Sequence, residues 1–288
     1  MTRVQLPEPT TLLGHERGEC RTMSISVRYT KPPVREVTLG IWFDALRTLN
    51  ALDLHKLRSD WLEDFPAIEE LAPFPSWDAP NGGYSFVDTQ SKWPMPCCVF
   101  SSQFRDRQVL VQDDRFSLSW TFNSNAGSYP GFEKLYEDLA SRFEQFCAEI
   151  TSAGNPSPIV RRVTVEYSNH LIDLDSEFVA NSVLQGKKIN GKHSAGRDSV
   201  SLRKHYCATG DNGDIALLLM VQPDSHFGDE ENPDEERDAT RLTINTSAEV
   251  EKGQPPLERL RASHDAELNF FLSLFSDEMR ASWGEQDA

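Results

Sequence analysis

The chain has 288 residues, a formal net charge of −16 and 38% hydrophobic residues, including 16 Phe and 6 Trp. This apolar content suffices for one large or two small packed domains, and the acidic surplus repels phosphate backbones, which excludes nucleic acid as an expected partner. No stretch approaches the roughly 18 uninterrupted apolar residues of a membrane helix, so no membrane association is expected.

The five cysteines, Cys20, Cys97, Cys98, Cys147 and Cys207, follow no framework spacing. With no stretch that reads as a signal peptide, they point to a reducing, cytoplasmic compartment. Residues 1–30 carry Pro7, Pro9, Gly14 and Gly18 without an apolar face and read as a flexible extension. Met23, just upstream of the first strand, is an alternative start of translation to Met1.

From Pro32 the pattern changes. Val37, Leu39, Ile41 and Phe43 alternate with period two, which predicts a first core strand, and Pro32-Pro33 allow it to start only from an edge or a loop. Leu46, Leu49, Leu54, Leu57, Trp61 and Phe65 recur at helical spacing, predicting a helix over about 44–65 that Asp44 or Asn50 caps and Pro66 stops. Residues 66–96, rich in Pro, Gly and Asp, read as a long loop. Strands follow at 97–104 and 109–122, the second interrupted near Asp113. Phe116, Leu118, Trp120 and Phe122 alternate there with Ser117, Ser119 and Thr121, as in an antiparallel sheet with one wet face. The clearest helix carries Phe132, Leu135, Tyr136, Leu139, Phe143, Phe146 and Ile150.

The second half opens in the same way. Pro158 precedes a strand with Val163, Val165 and Tyr167; residues 175–198 read as a polar stretch; strands are expected at 199–207, 215–222 and 240–248. Gly-Asp-Asn-Gly at 210–213 is a hairpin turn signal. A last helix over about 256–275 carries Leu257, Leu260, Leu268, Phe271, Leu272 and Phe275, with Met279 and Trp283 extending its apolar face. Val37 to Leu135 spans 98 residues and Val163 to Leu260 spans 97, and the two helix stripes keep step. The fold expected is therefore α+β, as two similar modules over 31–154 and 155–288. Each would be a mostly antiparallel sheet covered by its long C-terminal helix, with a ligand in the groove between them.

No phosphate loop, zinc spacing, nucleophile elbow or dinucleotide fingerprint is present, so no metal or cofactor is implied. Cys97 and Cys98, adjacent on a strand, point to opposite faces and read as one buried and one partly exposed thiol. His205 and Cys207 share a strand face but lack a second ligand pair. His264, on an apolar helix stripe, reads as a core histidine. Glu36 and Glu166, on matching strands, are either an acid/base pair or salt-bridged surface. Residues 229–238, with seven acids and one base, read as a mobile hairpin loop, with docking of a basic partner as the alternative.

Several motifs in order, Pro32-Pro33-Val34, Glu36-Val37, Gly40-Ile41-Trp42-Phe43, Trp61 to Pro66, Asp114-Arg115-Phe116, Trp120, Tyr129-Pro130 and Tyr167-Ser168-Asn169, followed by a closing helix with His264 and Phe271, resemble a sporadically distributed bacterial family of unknown function. The resemblance covers about residues 30–284, with Ser119 standing where an Asn is expected. It supplies no catalytic residue. Its patchy distribution associates it with toxin–antitoxin or phage-defence genes. The expectation is a non-enzymatic binding or regulatory protein with a protein partner. The alternative is an enzyme or small-ligand binder, for which Glu36, Arg115, Glu166 and Asn169 are the candidate residues.

Overall fold

The computed structural model describes residues 27–29, 32–76, 95–184, 200–210, 213–227 and 236–287. In chain order its elements are β1 (Val27–Tyr29), β2 (Val34–Phe43), a 3-10 turn (Ala51–Leu54), α1 (His55–Asp60), β3 (Ala67–Leu71), β4 (Cys97–Ser101), β5 (Arg107–Gln112), β6 (Arg115–Thr121) and α2 (Phe132–Ser152). There follow β7 (Val160–Ile172), α3 (Ser176–Val183), β8 (Leu202–Gly210), β9 (Gly213–Phe227), β10 (Glu236–Glu249), α4 (Pro256–Leu274), α5 (Asp277–Ser282) and β11 (Glu285–Asp287). The fold is a mixed α/β one with five α-helices among the described residues.

Nine strands make one sheet in the order β3-β4-β5-β6-β2-β7-β10-β9-β8, every neighbouring pair antiparallel. The strands expected in two separate modules are thus hydrogen-bonded into a single sheet, joined where β2 pairs with β7 and Leu39 faces Val165. A separate two-stranded sheet pairs β1 with β11.

The period-two pattern sorts the sheet into two unlike faces. Val37, Leu39, Ile41 and Phe43 of β2 and Val163 and Val165 of β7 are fully buried in one cluster with Phe116, Leu118, Leu139, Phe146 and Ile150. A second cluster joins Leu217, Leu219 and Val221 of β9 to Leu242 and Ile244 of β10, Val179 and Val183 of α3 and Phe271 of α4. The helices share their buried residues with this one face; among the described residues no helix packs on the other.

The helix expected over 44–65 is shorter than its apolar spacing suggests. Leu46 and Leu49 are buried, but in irregular chain tied to the β5–β6 turn by bonds from the Phe43 and Leu46 amides to the Asp114 and Asp113 carbonyls. Helical structure begins only where the Asn50 side chain accepts from the Leu52 amide and Asp53 reaches back, a capping box. Asp44 instead pairs with Arg161, which holds its carboxyl below the usual range through a two-point hydrogen bond. Four elements went unread: β1, a strand inside the residues 1–30 expected as a flexible extension, and β11, which pairs with it; β3, hidden by flanking prolines; and α3, whose Asp175 cap and buried Val179, Ala180 and Val183 lie among acids and amides. The β5–β6 hairpin turns at Asp113-Asp114 inside the stretch read as one interrupted strand, and Met279 and Trp283 belong to a separate helix and its C-cap that pack on the second cluster. β8 and β9 pair as far as Gly210 opposite Gly213, where the hairpin turn is expected; residues 211–212, most of the 229–238 acidic run and residues 1–26 lie outside the described residues.

Phe146 shows how α2 is held. It is fully buried, with ring centroids 6.0 Å from Phe43 and 5.4 Å from Phe116. Phe146→Ala should lower unfolding free energy by about 3–5 kcal/mol, the usual cost of an aromatic cavity, read from the urea midpoint.

Candidate functional site

Paired residues of an antiparallel ladder point to the same side, so the open face is organised in cross-strand rows. One row runs Ser117, Gly40, Thr164, Ser247, Ala216 and Cys207 across β6, β2, β7, β10, β9 and β8. All six are small. Larger residues flank this row: Arg115, Trp42, Arg162 and Glu249 on one side and, beyond the small Ser119 and Thr38, Glu166, Asn245, Leu218 and His205 on the other, so that the second bank rises only from β7 to β8. The low row is therefore the floor of a trough perpendicular to the strands, about 24 Å long at about 4.8 Å per strand.

Trp42 leans over this floor. Its indole Nε1–H donates to Thr164 Oγ1 at 3.1 Å, and a Cβ built on Gly40 would run into that same hydroxyl oxygen. Gly40 is required by this close approach. The outer side of the indole carries the Arg115 guanidinium, 4.4 Å from the ring centroid. Arg115 is fixed by Asp114 at 2.7 and 3.1 Å, by the Pro75 carbonyl, and by the Phe74 ring. Gln112 exchanges two hydrogen bonds with the Phe74 backbone, which lays residues 74–75 against this end of the face. Beyond Trp42 the trough opens into a cleft of about 900 Å³, lined by Arg162, Thr164, His205, Cys207, Asn245, Ser247 and Glu249 among others. Arg259 closes its lower rim, buried, donating to the Glu249 and Asp214 carbonyls.

Of the sequence candidates, Glu36 and Glu166 share the open face. Asn245 Nδ2 donates to Glu166 Oε2 at 2.7 Å. The Glu36 carboxyl is pushed above its ordinary range by loss of hydration and then by the Glu166 charge, with Arg241 pulling the other way. Arg115 belongs to the flank of the trough as a clamp on Trp42. Asn169 does not join them: it is buried on the helix-bearing side, its amide 3.4 Å from the Leu242 carbonyl. His205 and Cys207 both face the cleft. Cys97 and Cys98 differ from expectation, since both are buried, one under each face; burial pushes their thiols up to about 12 and about 11.

A second polar centre lies on the helix-bearing face. Tyr129 Oη is 3.0 Å from Tyr167 Oη, and Tyr167 Oη is 3.2 Å from His264 Nδ1. The His264 ring stacks on Phe132 at 3.6 Å. Burial lowers the His264 pKa to about 4, so its imidazole is neutral. One turn on, Glu267 is 2% exposed, and neither carboxylate oxygen meets a partner in normal hydrogen-bond geometry. Burial first, then the Glu166 charge, raises its pKa well above the usual range; the Tyr167 backbone amide is the one neighbour that favours the anion. Sequence reading named Tyr129 and Tyr167 only as motif and strand residues and passed over Glu267, although an acid at the helical spacing of Leu260, His264 and Phe271 was the available signal. Among the described residues no helix is long and apolar enough to cross a membrane.

A scan against protein-family models finds no match for this chain, and a search of curated proteins finds none either.

Two outcomes test this geometry. Gly40→Ala should cost about 1–3 kcal/mol by overpacking, and most of that loss should disappear in the Thr164→Ala background, a coupling read by a double-mutant cycle of urea unfolding. The pH dependences of Glu267 and His264 have opposite signs. The folded protein holds the Glu267 proton above pH 4.5, where the unfolded chain releases it, so this group's stabilisation is lost as pH rises. His264 loses its proton at about 4 when folded and at 6.5 when not, so its contribution is lost as pH falls through that window. Relative to wild type, Glu267→Gln should gain stability with rising pH and His264→Gln with falling pH, each by up to about 1.4 kcal/mol per pH unit, measured by urea unfolding at a series of pH values.

Proposed function

We propose that this chain is a non-enzymatic binding protein of the bacterial cytoplasm that receives an extended segment of a protein partner in the trough of the open sheet face. The observation that carries the reading is the row of six small side chains, Ser117 to Cys207, opening into a cleft over its Thr164-to-Cys207 part with larger polar groups along the banks there. Its banks offer hydroxyl, amide, imidazole and guanidinium groups at strand spacing, and Trp42 supplies an apolar wall. The resemblance to a sporadically distributed bacterial family, with its association with toxin–antitoxin or phage-defence genes, agrees with a partner-binding role.

The same reading takes the chain as one template used twice. In the first half the strands run β2-β6-β5-β4 outward from the middle, and in the second β7-β10-β9-β8. Val37 pairs with Tyr167 and Ile41 with Val163, symmetrically about the Leu39–Val165 pair. These are the pairings a two-fold axis through that point would require if Val37 corresponds to Val163. The trough then crosses the junction of the two copies, the place where a ligand was expected.

A second reading, a small-ligand binder or enzyme at the same junction, is favoured by the size of the cleft, about 900 Å³, within the roughly 300–1,000 Å³ of small-molecule sites. Filling the floor separates fold from binding. Ser247→Trp should keep the wild-type circular dichroism and unfolding midpoint yet lose the partner captured by the wild-type chain in a pull-down from bacterial lysate. Partner capture equal to wild type would overturn the proposal.

A further inference from the structure

Glu267 is a buried carboxyl with no side-chain partner and only the Tyr167 backbone amide, outside normal hydrogen-bond geometry, beside it, a costly arrangement unless something supplies the missing contact. Its surroundings specify the chemistry of that missing group. Tyr129 Oη, Tyr167 Oη and His264 Nδ1 hydrogen-bond to one another in a chain and so engage one another, while both Glu267 oxygens keep free lone pairs. The surrounding charge is also one-sided. Glu133 and Glu267 on the helices and Glu166 on β7 act on this centre, against Arg261, which is already bound at two points by Glu133. Aromatic rings complete the wall: Tyr129 and Tyr167 at 6.4 Å between centroids, with Phe132 beside His264. As whole residues Tyr129, Tyr167 and His264 are half-buried, while the Tyr167 hydroxyl and the Glu267 carboxyl are buried.

We propose that Glu267, Tyr129, Tyr167 and His264 form a binding site for a small organic cation carrying N–H donors, an alkylammonium group, between the N-terminal end of α2 and the middle of α4. A protonated amine offers donors to the surplus acceptors and charge to the surplus acid, and ring faces attract it further. Among the described residues no three His, Cys, Asp or Glu groups are grouped to hold a metal ion, which directs the site toward an organic cation. Binding exchanges one ion for another: Glu267 releases its proton to solvent, and the resulting carboxylate pairs with the incoming ammonium. The site is separate from the trough and stands or falls without it.

The test is thermal unfolding of the full chain in n-propylammonium chloride against sodium chloride at matched ionic strength. Wild type should show a saturable rise in Tm, with apparent affinity increasing by up to about tenfold per pH unit while Glu267 is still protonated in the free protein. Glu267→Gln should lose the rise. Should that variant fail to fold, Tyr129→Phe keeps the ring, removes an acceptor, and should weaken apparent affinity by about tenfold. Absence of a saturable rise in wild type would mean that the centre holds water alone and would overturn the proposal. So would an equal rise in Glu267→Gln or an unchanged affinity in Tyr129→Phe.

Discussion

The pairing of β2 with β7 is the constraint on which the rest of the molecule depends. Each strand closes its own set of strands on one side, β6 for β2 and β10 for β7, and would otherwise end in an open edge with unpaired amides and carbonyls. Pairing the two edges satisfies both rows at once. It also aligns Val37, Leu39 and Ile41 with Tyr167, Val165 and Val163, so one apolar layer continues from one half of the chain into the other. Because register fixes face, a slip of one residue here would turn that layer toward solvent and break up the floor of the trough on the other side.

Polar groups inside this frame are treated unequally. Arg142, 9% exposed, reaches Asp64 and Asp138 and lies against the rings of Trp61 and Phe65. Arg259, 3% exposed, is satisfied by two backbone carbonyls. Such partners offset much of the cost of taking a guanidinium out of water. Glu267 has the burial without comparable partners, and its pKa is raised instead, which favours the protonated form.

How much of this was legible in the residues follows from the range of each signal. Strict alternation in β2 and β6 and the long stripes of α2 and α4 report burial on one face, and these elements stand where their periods place them. Capping and tethering act against periodicity, which is why Leu46 and Leu49 are buried without a helix. The trough could not be read at all, because its floor takes one small residue from each of six strands and only the register brings Ser117 beside Gly40 and Ser247 beside Ala216. Glu36 and Glu166 were legible as a pair because their strands match. Asn169 stands apart from the other candidates because the open-face side of β7 belongs to its even-numbered neighbours, Thr164, Glu166 and Ser168.

The direction of the trough has its own consequence. It crosses the strands, whose main-chain donors and acceptors are already engaged with one another, so an occupant has no free ladder to extend. Whatever lies there must be identified through side-chain tips, one or two from each strand, rather than through its own backbone. Discrimination would then be shared among many weak contacts on a floor that cannot hinge, favouring a guest that arrives already straight.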